Sequence, residues 1–341
     1  MDSMQNMIPL TYATYTLDES VRNASSSGGI FSELAKYILE QNGVVFGCAL
    51  DEQMQAKHRF VDNVQDLYTL QGSKYVQSDI GKMYIQCAEF LKQGRKVLFS
   101  GTPCQVEGLY RYLECVSDSK AMEHLYTQDF ICHGVASPKV WNDYMEVQKK
   151  KRNANKITDV KFREKSGGWS HYALLMKFSD GSEVRQPVNE SVWSRGFLNN
   201  LYLRPSCYDC KCKKVNRKTD VTLGDFWGIE HVFPELQADK GVSLLMIHST
   251  KGAKLIENIR DRIYLKETEF DSAIKENSSM IKSAIIDQKR RKKFFRIYPK
   301  IHQDEQLEKM IVKYTKKRTS VRIYVWVKRQ GRRVLRKAGL R

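Results

Sequence analysis

KVLFSGTPCQVEGLYRYLE, residues 96–114, reads as a short buried strand, a turn of Gly, Thr and Pro, and an amphipathic helix. The same alternation continues outward on both sides. GIFSELAKYILEQ (29–41) sets Ile30, Leu34 and Ile38 on one helical face, with Phe31 and Ala35 beside them, and VVFGCAL (44–50) is a short apolar strand. The spacing predicts a helix over 79–94 with Cys87 in its apolar stripe, a strand DFIC at 129–132, the turn HGVASP and the helix VWNDYMEVQKKK. Beyond about residue 155 the texture becomes alternating, in DVKFRE and in YALLMKFSDGSEVRQP with its Asp180-Gly181 hairpin signal. TLGDFWG reads as a loop, VSLLMIHS as a strand and KGAKLIENIRD as a helix. Strands alternating with helices give a mixed or parallel sheet covered by helices. The expected fold class is therefore α/β to α+β: a mixed-sheet N-terminal domain over 1–125, a smaller α+β domain over 126–285, and a helical, basic, amphipathic extension over 286–341.

The charge is confined. Of a net +18, residues 289–341 carry 20 Lys plus Arg against 3 Asp plus Glu, while residues 1–288 carry 37 against 36. A neutral body excludes nucleic-acid binding spread over the whole chain. The tail mixes its cations with Tyr324, Val325, Trp326, Val327, Val334 and Leu335, which suits an anionic membrane surface or an acidic protein better than a phosphate backbone. Nothing approaches a membrane-spanning length, and the acidic start MDSMQNMIPLTYATYTLDES does not resemble a secretory signal. The chain is expected in the cytoplasm, with peripheral attachment at the inner membrane surface through residues 289–341 as the open alternative. In that compartment eight cysteines are metal ligands or core residues rather than disulfides.

The sharpest local signal is Cys207-Tyr-Asp-Cys210-Lys-Cys212. Two thiolates separated by two residues can face one metal centre across a tight turn. Further thiolates are available at Cys104 and Cys132, each just past a predicted strand, where open α/β sheets place ligands. Spacing leaves two outcomes open: an iron–sulfur centre, or a zinc site completed by His133 or His231. Cys212 is either a spare thiol or an alternative ligand.

Ser25-Ser26-Ser27-Gly28-Gly29 before the first amphipathic helix admits a phosphate at the helix N-terminus, and is equally an ordinary cap. Gly72-Ser73-Lys74-Tyr75 offers a flexible glycine, a cation for a pyrophosphate and a ring for stacking, or simply a surface loop. Trp169, between Gly168 and Ser170, with Arg163 and Lys165 nearby, is either core or a loop that a ligand approaches. His133 and Asp129 are the candidates for proton transfer.

Taken in order, SSSGGIFSELAKYIL, GVVFGCALDE, LQGSKYVQSDIG, VLFSGTPCQVEGLYRYL, ICHGVASPKVW, KFREKSGGW, RPSCYDCKC and TDVTLGDFWG resemble the coenzyme F420 hydrogenase/dehydrogenase beta subunit family from about residue 10 to about residue 285. The resemblance implies an oxidoreductase with FAD and a [4Fe–4S] cluster. By motif it assigns Cys104, Cys132, Cys207 and Cys210 to the cluster, with Ser26, Ser27, Gly28, Gly29, Gly72, Ser73, Lys74, Tyr75 and Thr102 at the flavin. The domains over 1–125 and 126–285 become flavin-binding and cluster-bearing. Many relatives carry C-x₂-C-x₂-C-x₃-C-P runs ahead of the SSSGG region and none occurs here, so a separate ferredoxin-like carrier or a hydrogenase/dehydrogenase subunit is the expected electron partner. Two other readings remain: a flavin-dependent reductase of a sugar-linked or other small metabolite in polysaccharide biosynthesis, and a zinc-holding or non-catalytic scaffold.

Overall fold

The computed structural model describes residues 8–316 apart from 237, 302 and 304. Its strands are β1 Leu10–Thr16, β2 Val44–Leu50, β3 Ala56–Val61, β4 Val97–Ser100, β5 Leu125–Phe130, β6 Ile157–Glu164, β7 Ala173–Phe178, β8 Glu183–Pro187, β9 Val221–Asp225, β10 Ser243–Ile247 and β11 Ile263–Glu267. The longer helices are α1 Ile30–Glu40, α2 Met83–Lys92, α3 Pro103–Val116, α4 Pro138–Arg152, α5 Val192–Leu198, α6 Thr250–Glu257, α7 Gln288–Ile297 and α8 Gln306–Thr315.

Eight strands form one mixed sheet in the order β11-β1-β10-β9-β5-β4-β2-β3, and β6-β7-β8 form a second, antiparallel one. The centre is parallel, from β2 through β4 and β5 to β9. Antiparallel strands close it on both sides. Such strands are covered on both faces, which is why they read as continuous apolar runs. On one face Val45, Leu98 and Leu245 pack with Ile30, Leu34 and Ile38 of α1 and Leu255 of α6. On the other, Val44, Phe46, Val97 and Phe99 pack with Cys87 of α2 and Leu109 and Leu113 of α3.

Three features differ from the sequence reading. TLGDFWG is not a loop, because Val221–Asp225 is the central strand β9, bonded to β5 and β10. The helix expected over 79–94 starts only at Met83, since the backbone around Asp79 instead bridges Lys57 beside β3. The large sheet also takes strands from both sides of residue 125, as β1 pairs with β10 and β11.

The helices Gln288–Ile297 and Gln306–Thr315 each contribute one face to a core. Phe294, Tyr298, Leu307, Met310 and Ile311 are buried with Trp141, Tyr144, Trp193 and Tyr202 over the small sheet. The Tyr298 hydroxyl donates to buried Asp143. The remainder of the expected extension, 317–341 with Tyr324, Trp326 and their neighbours, lies outside the described residues. No helix among the described residues is long and apolar enough to cross a membrane.

Truncation after Asp287 would strip these side chains from the core. Phe294→Ala alone is expected to cost about 3–5 kcal/mol, the usual range for emptying a buried aromatic site. Urea unfolding of Phe294→Ala, and of chains ended after Asp287 and after Lys316, checks this: the first two lose stability and the third keeps it.

Candidate functional site

The carboxyl ends of β4, β5 and β9 open into a cavity of about 500 Å³. Its walls come from chain segments far apart in sequence, including 25–32, 70–76, 100–105, 128–135, 223–227 and 276–279. At one end α1 begins at Gly29, whose φ of +87° is a left-handed conformation, with no side-chain cap over its first N–H groups. Those donors are the kind that hold anions. Ser26 Oγ accepts from the Ser73 N–H at 2.8 Å, tying the two candidate phosphate loops together. Ser26, Ser27, Gly29, Gly72, Ser73, Lys74, Tyr75 and Thr102 all line the cavity.

Gly28 is placed differently from its neighbours. A Cβ there would stand 2.6 Å from the Thr14 carbonyl of β1 and 2.9 Å from the Ser243 backbone of β10. Its smallness lets the loop lie against the sheet, rather than letting a ligand approach the loop. Lys74 also departs from the simplest reading. Its Nζ donates to the carbonyls of Gln71 (2.7 Å), Leu70 (3.1 Å) and Thr69 (3.4 Å), and burial lowers its pKa to about 8. It closes the end of a helical turn and reaches the cavity as part of that turn. Tyr75 stacks on Phe197 at 4.8 Å and contributes a rigid wall.

Parallel register brings the cysteines together. Ser100 of β4 pairs with Gln128 of β5, so Cys104 and Cys132 lie equally far beyond neighbouring strand positions. Cys104 occupies the first turn of α3, with Thr102 Oγ1 3.1 Å from its sulfur. The Ala136–Leu203 bridge lays the Cys132 loop beside the chain leading to Cys207. Half-buried Cys132 is pushed up to about 12, first by desolvation and then by repulsion from Cys104, Cys207 and Cys210, against the pull of Lys213. Cys104, Cys207 and Cys210 thus all act electrostatically on Cys132. Cys212 is buried and donates to Glu107 at 3.3 Å, and its hydrogen bond to Cys210 holds the Cys210 thiol low while its own is raised.

His133 follows Cys132 on the cavity wall, its ring 5.0 Å from Phe197 and its buried Nε2 without a hydrogen-bond partner. Asp129 does not face the cavity. It is buried against Arg217 at 3.3 Å and accepts from Thr222, so its role is architectural.

The residue reading missed His58 and under-read Arg163 and Asp225. His58 Nε2 donates to the Ser100 carbonyl at 3.1 Å and Nδ1 accepts from Ser78 at 2.9 Å, fixing one neutral tautomer on the wall. Its alternation with Ala56 on the inward face of β3 was the available signal. Arg163 pairs with Asp225, which accepts from Trp169 Nε1 at 3.1 Å, and Trp169 stacks on Trp227 of the wall at 4.6 Å.

Burial lowers His58 to about 4 and His248, hydrogen-bonded to Thr222, to about 3. The unfolded chain takes up these protons near the ordinary histidine pKa of about 6.5, so their stabilisation is complete above that pH and is lost as pH falls towards 4. Burial raises Asp129 despite Arg217 and partly offsets the trend. His58→Gln is expected to flatten the fall in unfolding free energy between pH 6 and 5 by about 1.4 kcal/mol per pH unit, one proton's worth. Equal slopes in urea titrations of the two proteins would show that His58 already titrates normally in the folded state.

Two family models match, both describing the coenzyme F420 hydrogenase/dehydrogenase beta subunit. The model of its N-terminal part covers residues 11–84, and that of its C-terminal part covers 94–273. No curated protein matches. Among solved structures, a chain of the F420-reducing [NiFe] hydrogenase complex from Methanosarcina barkeri, in its xenon-derivatised form, shares the fold with a TM-score of 0.55 at 15% identity, over 87% of this chain and 95% of that one. The C-terminal match alone spans more than half the sequence, and the two matches together include most of the segments that wall the cavity: the chain belongs to the coenzyme F420 hydrogenase/dehydrogenase beta subunit family and is an oxidoreductase of that type.

Proposed function

We propose that this protein holds FAD in the cavity and a [4Fe–4S] cluster on Cys104, Cys132, Cys207 and Cys210, and passes electrons between a hydride-type donor or acceptor and a one-electron carrier. The observation that carries the reading is the continuity of the cavity, which runs from the uncapped start of α1 to Cys132 and His133. The donor set fits a cationic cluster, because four neighbouring thiols repel one another when ionised. Among the described residues no three His, Cys, Asp or Glu side chains close around a point that holds one metal ion.

When bound, a flavin supplies hydride chemistry on one side and single electrons on the other. The protein's part is placement. Ser26, Ser27 and the first N–H groups of α1 bind the phosphates, with Gly28 and Gly29 setting the backbone and Gly72, Ser73 and Thr102 completing the polar lining. Lys74 adds positive potential from within its turn, and Tyr75 with Trp227 bounds the ring region. His133, neutral because burial lowers its pKa, is the group assigned to exchange a proton or hydrogen bond with what enters. The hydrogenase complex seen for the structural neighbour supports a partner subunit or a ferredoxin-like carrier as the one-electron partner.

Anaerobically purified protein is expected to contain flavin, iron and acid-labile sulfide. Colourless protein with stoichiometric zinc would overturn the proposal. Serine at any of Cys104, Cys132, Cys207 or Cys210 removes the iron, measured by iron content and the reduced EPR spectrum, while exposed Cys115→Ser keeps it. Loss with Cys212→Ser but not with Cys207→Ser would reassign the ligands.

Flavin binding has its own test. Gly28 substitutions would disturb β1 and β10 rather than the phosphate site, so Ser26→Asp is the better variant: it brings the phosphate's own charge into nearly the same volume. It should weaken FAD binding by at least about tenfold, as like charges within contact distance do. Unchanged flavin content, with iron retained, would move the phosphates away from this loop.

A further inference from the structure

The segment 279–286 lies directly on the cysteine loop. The Ala284 N–H donates to the Cys207 carbonyl at 3.2 Å, Ser283 Oγ accepts from the Cys210 N–H at 3.0 Å, and Lys213 donates to the carbonyls of both Cys132 and Ser279. Its other side faces solvent. Ile285 is 83% exposed, the most exposed large hydrophobic side chain among the described residues, and Ile281 is 38% exposed. The chain continues into α7, and residues 281–300 hold eight Lys or Arg against one Asp.

Nearby cations differ in whether they are already neutralised. Lys211 is paired with Asp209, Lys214 with Glu107, Lys218 with Glu114 and Arg290 with Asp287. Among the described residues no carboxylate is paired with exposed Lys282, Lys289, Lys292 or Lys293. An exposed aliphatic knob fringed by unneutralised cations is the pattern of a protein-docking site with electrostatic steering. A phosphate backbone would use the cations and leave Ile285 without a function.

We infer that residues 281–293 form the docking surface for an acidic one-electron carrier protein, seated on Ile285 over the Cys207–Cys210 loop. The inference rests on the proposed electron-transfer function and adds where the carrier binds. Tunnelling falls steeply with distance, so a carrier must approach close to the cysteines. Cys207 and Cys210 are half-buried, and a single ribbon, 281–286, lies on them and carries the exposed Ile285. Net positive charge at that ribbon favours a partner of opposite sign and makes the encounter salt-dependent.

Calorimetric titration of the full-length protein with an acidic two-iron ferredoxin at low salt tests this without any turnover. Binding is expected, weakened at least about tenfold by Ile285→Asp and by about 10²-fold in the Lys289→Glu/Lys292→Glu/Lys293→Glu triple variant, as for centre and rim changes at charged interfaces. Lys254→Glu, an exposed cation on α6, should leave it unchanged. Iron and flavin contents equal to those of the parent separate loss of docking from loss of the site. Parental affinity in both patch variants overturns the inference, as does binding to anionic vesicles or DNA with none to the ferredoxin. If the protein lacks iron and flavin but still binds through the patch, the docking surface stands and the redox reading falls.

Discussion

Asp129 and Arg217, each 2% exposed, meet in the interior at 3.3 Å. The guanidinium also donates to the carbonyls of Phe130 and Met280. One cation therefore joins the end of β5, the segment following the cysteine loop and the turn leading to residue 281. A buried ion pair adds little over an apolar substitute, yet removing one member costs about 3–5 kcal/mol because the survivor is stranded. Its value here is positional. Cys132, Cys207, Cys210 and the 281–286 ribbon all hang from the segments it connects.

Local pattern made much of the architecture legible. Strand, turn and helix at 96–114 appear as β4, Thr102 and α3, and VVFGCAL is β2 without adjustment. TLGDFWG failed as a local reading for a physical reason: Gly and Asp in a short run look like a turn, whereas β9 is held by partners on both sides, β5 and β10. Residues 288–315 misled in a similar way. Their cations dominate the composition, but the helical spacing of Phe294, Tyr298, Leu307 and Ile311 decides where they pack.

The site was legible by residue type more than by role. Register explains why Cys104 and Cys132, distant in sequence, converge on the cysteine loop. Roles depend on neighbours that a sequence does not display. Lys74 is occupied by three carbonyls, Gly28 by the backbone of two strands, and Asp129 by an arginine 88 residues away. His58 escaped notice because a lone histidine in an alternating strand carries no motif. Only Ser78 and Ser100, brought in from separate segments, define its tautomer.

The pairing of β1 has a consequence for how the chain is made. Among the described residues the strands that pair with Leu10–Thr16 are β10 and β11, which end at Ile247 and Glu267. During synthesis the first strand leaves the ribosome with both edges bare, and keeps them so until most of the chain has followed. Long-range pairing of this kind slows folding and exposes strand edges to other chains, so vectorial synthesis gives this protein a prolonged interval of aggregation risk. The SSSGG loop lies against β1 and β10 and cannot settle before they meet. Formation of the cavity is therefore a late event in biogenesis, set by completion of the sheet rather than by emergence of the SSSGG loop.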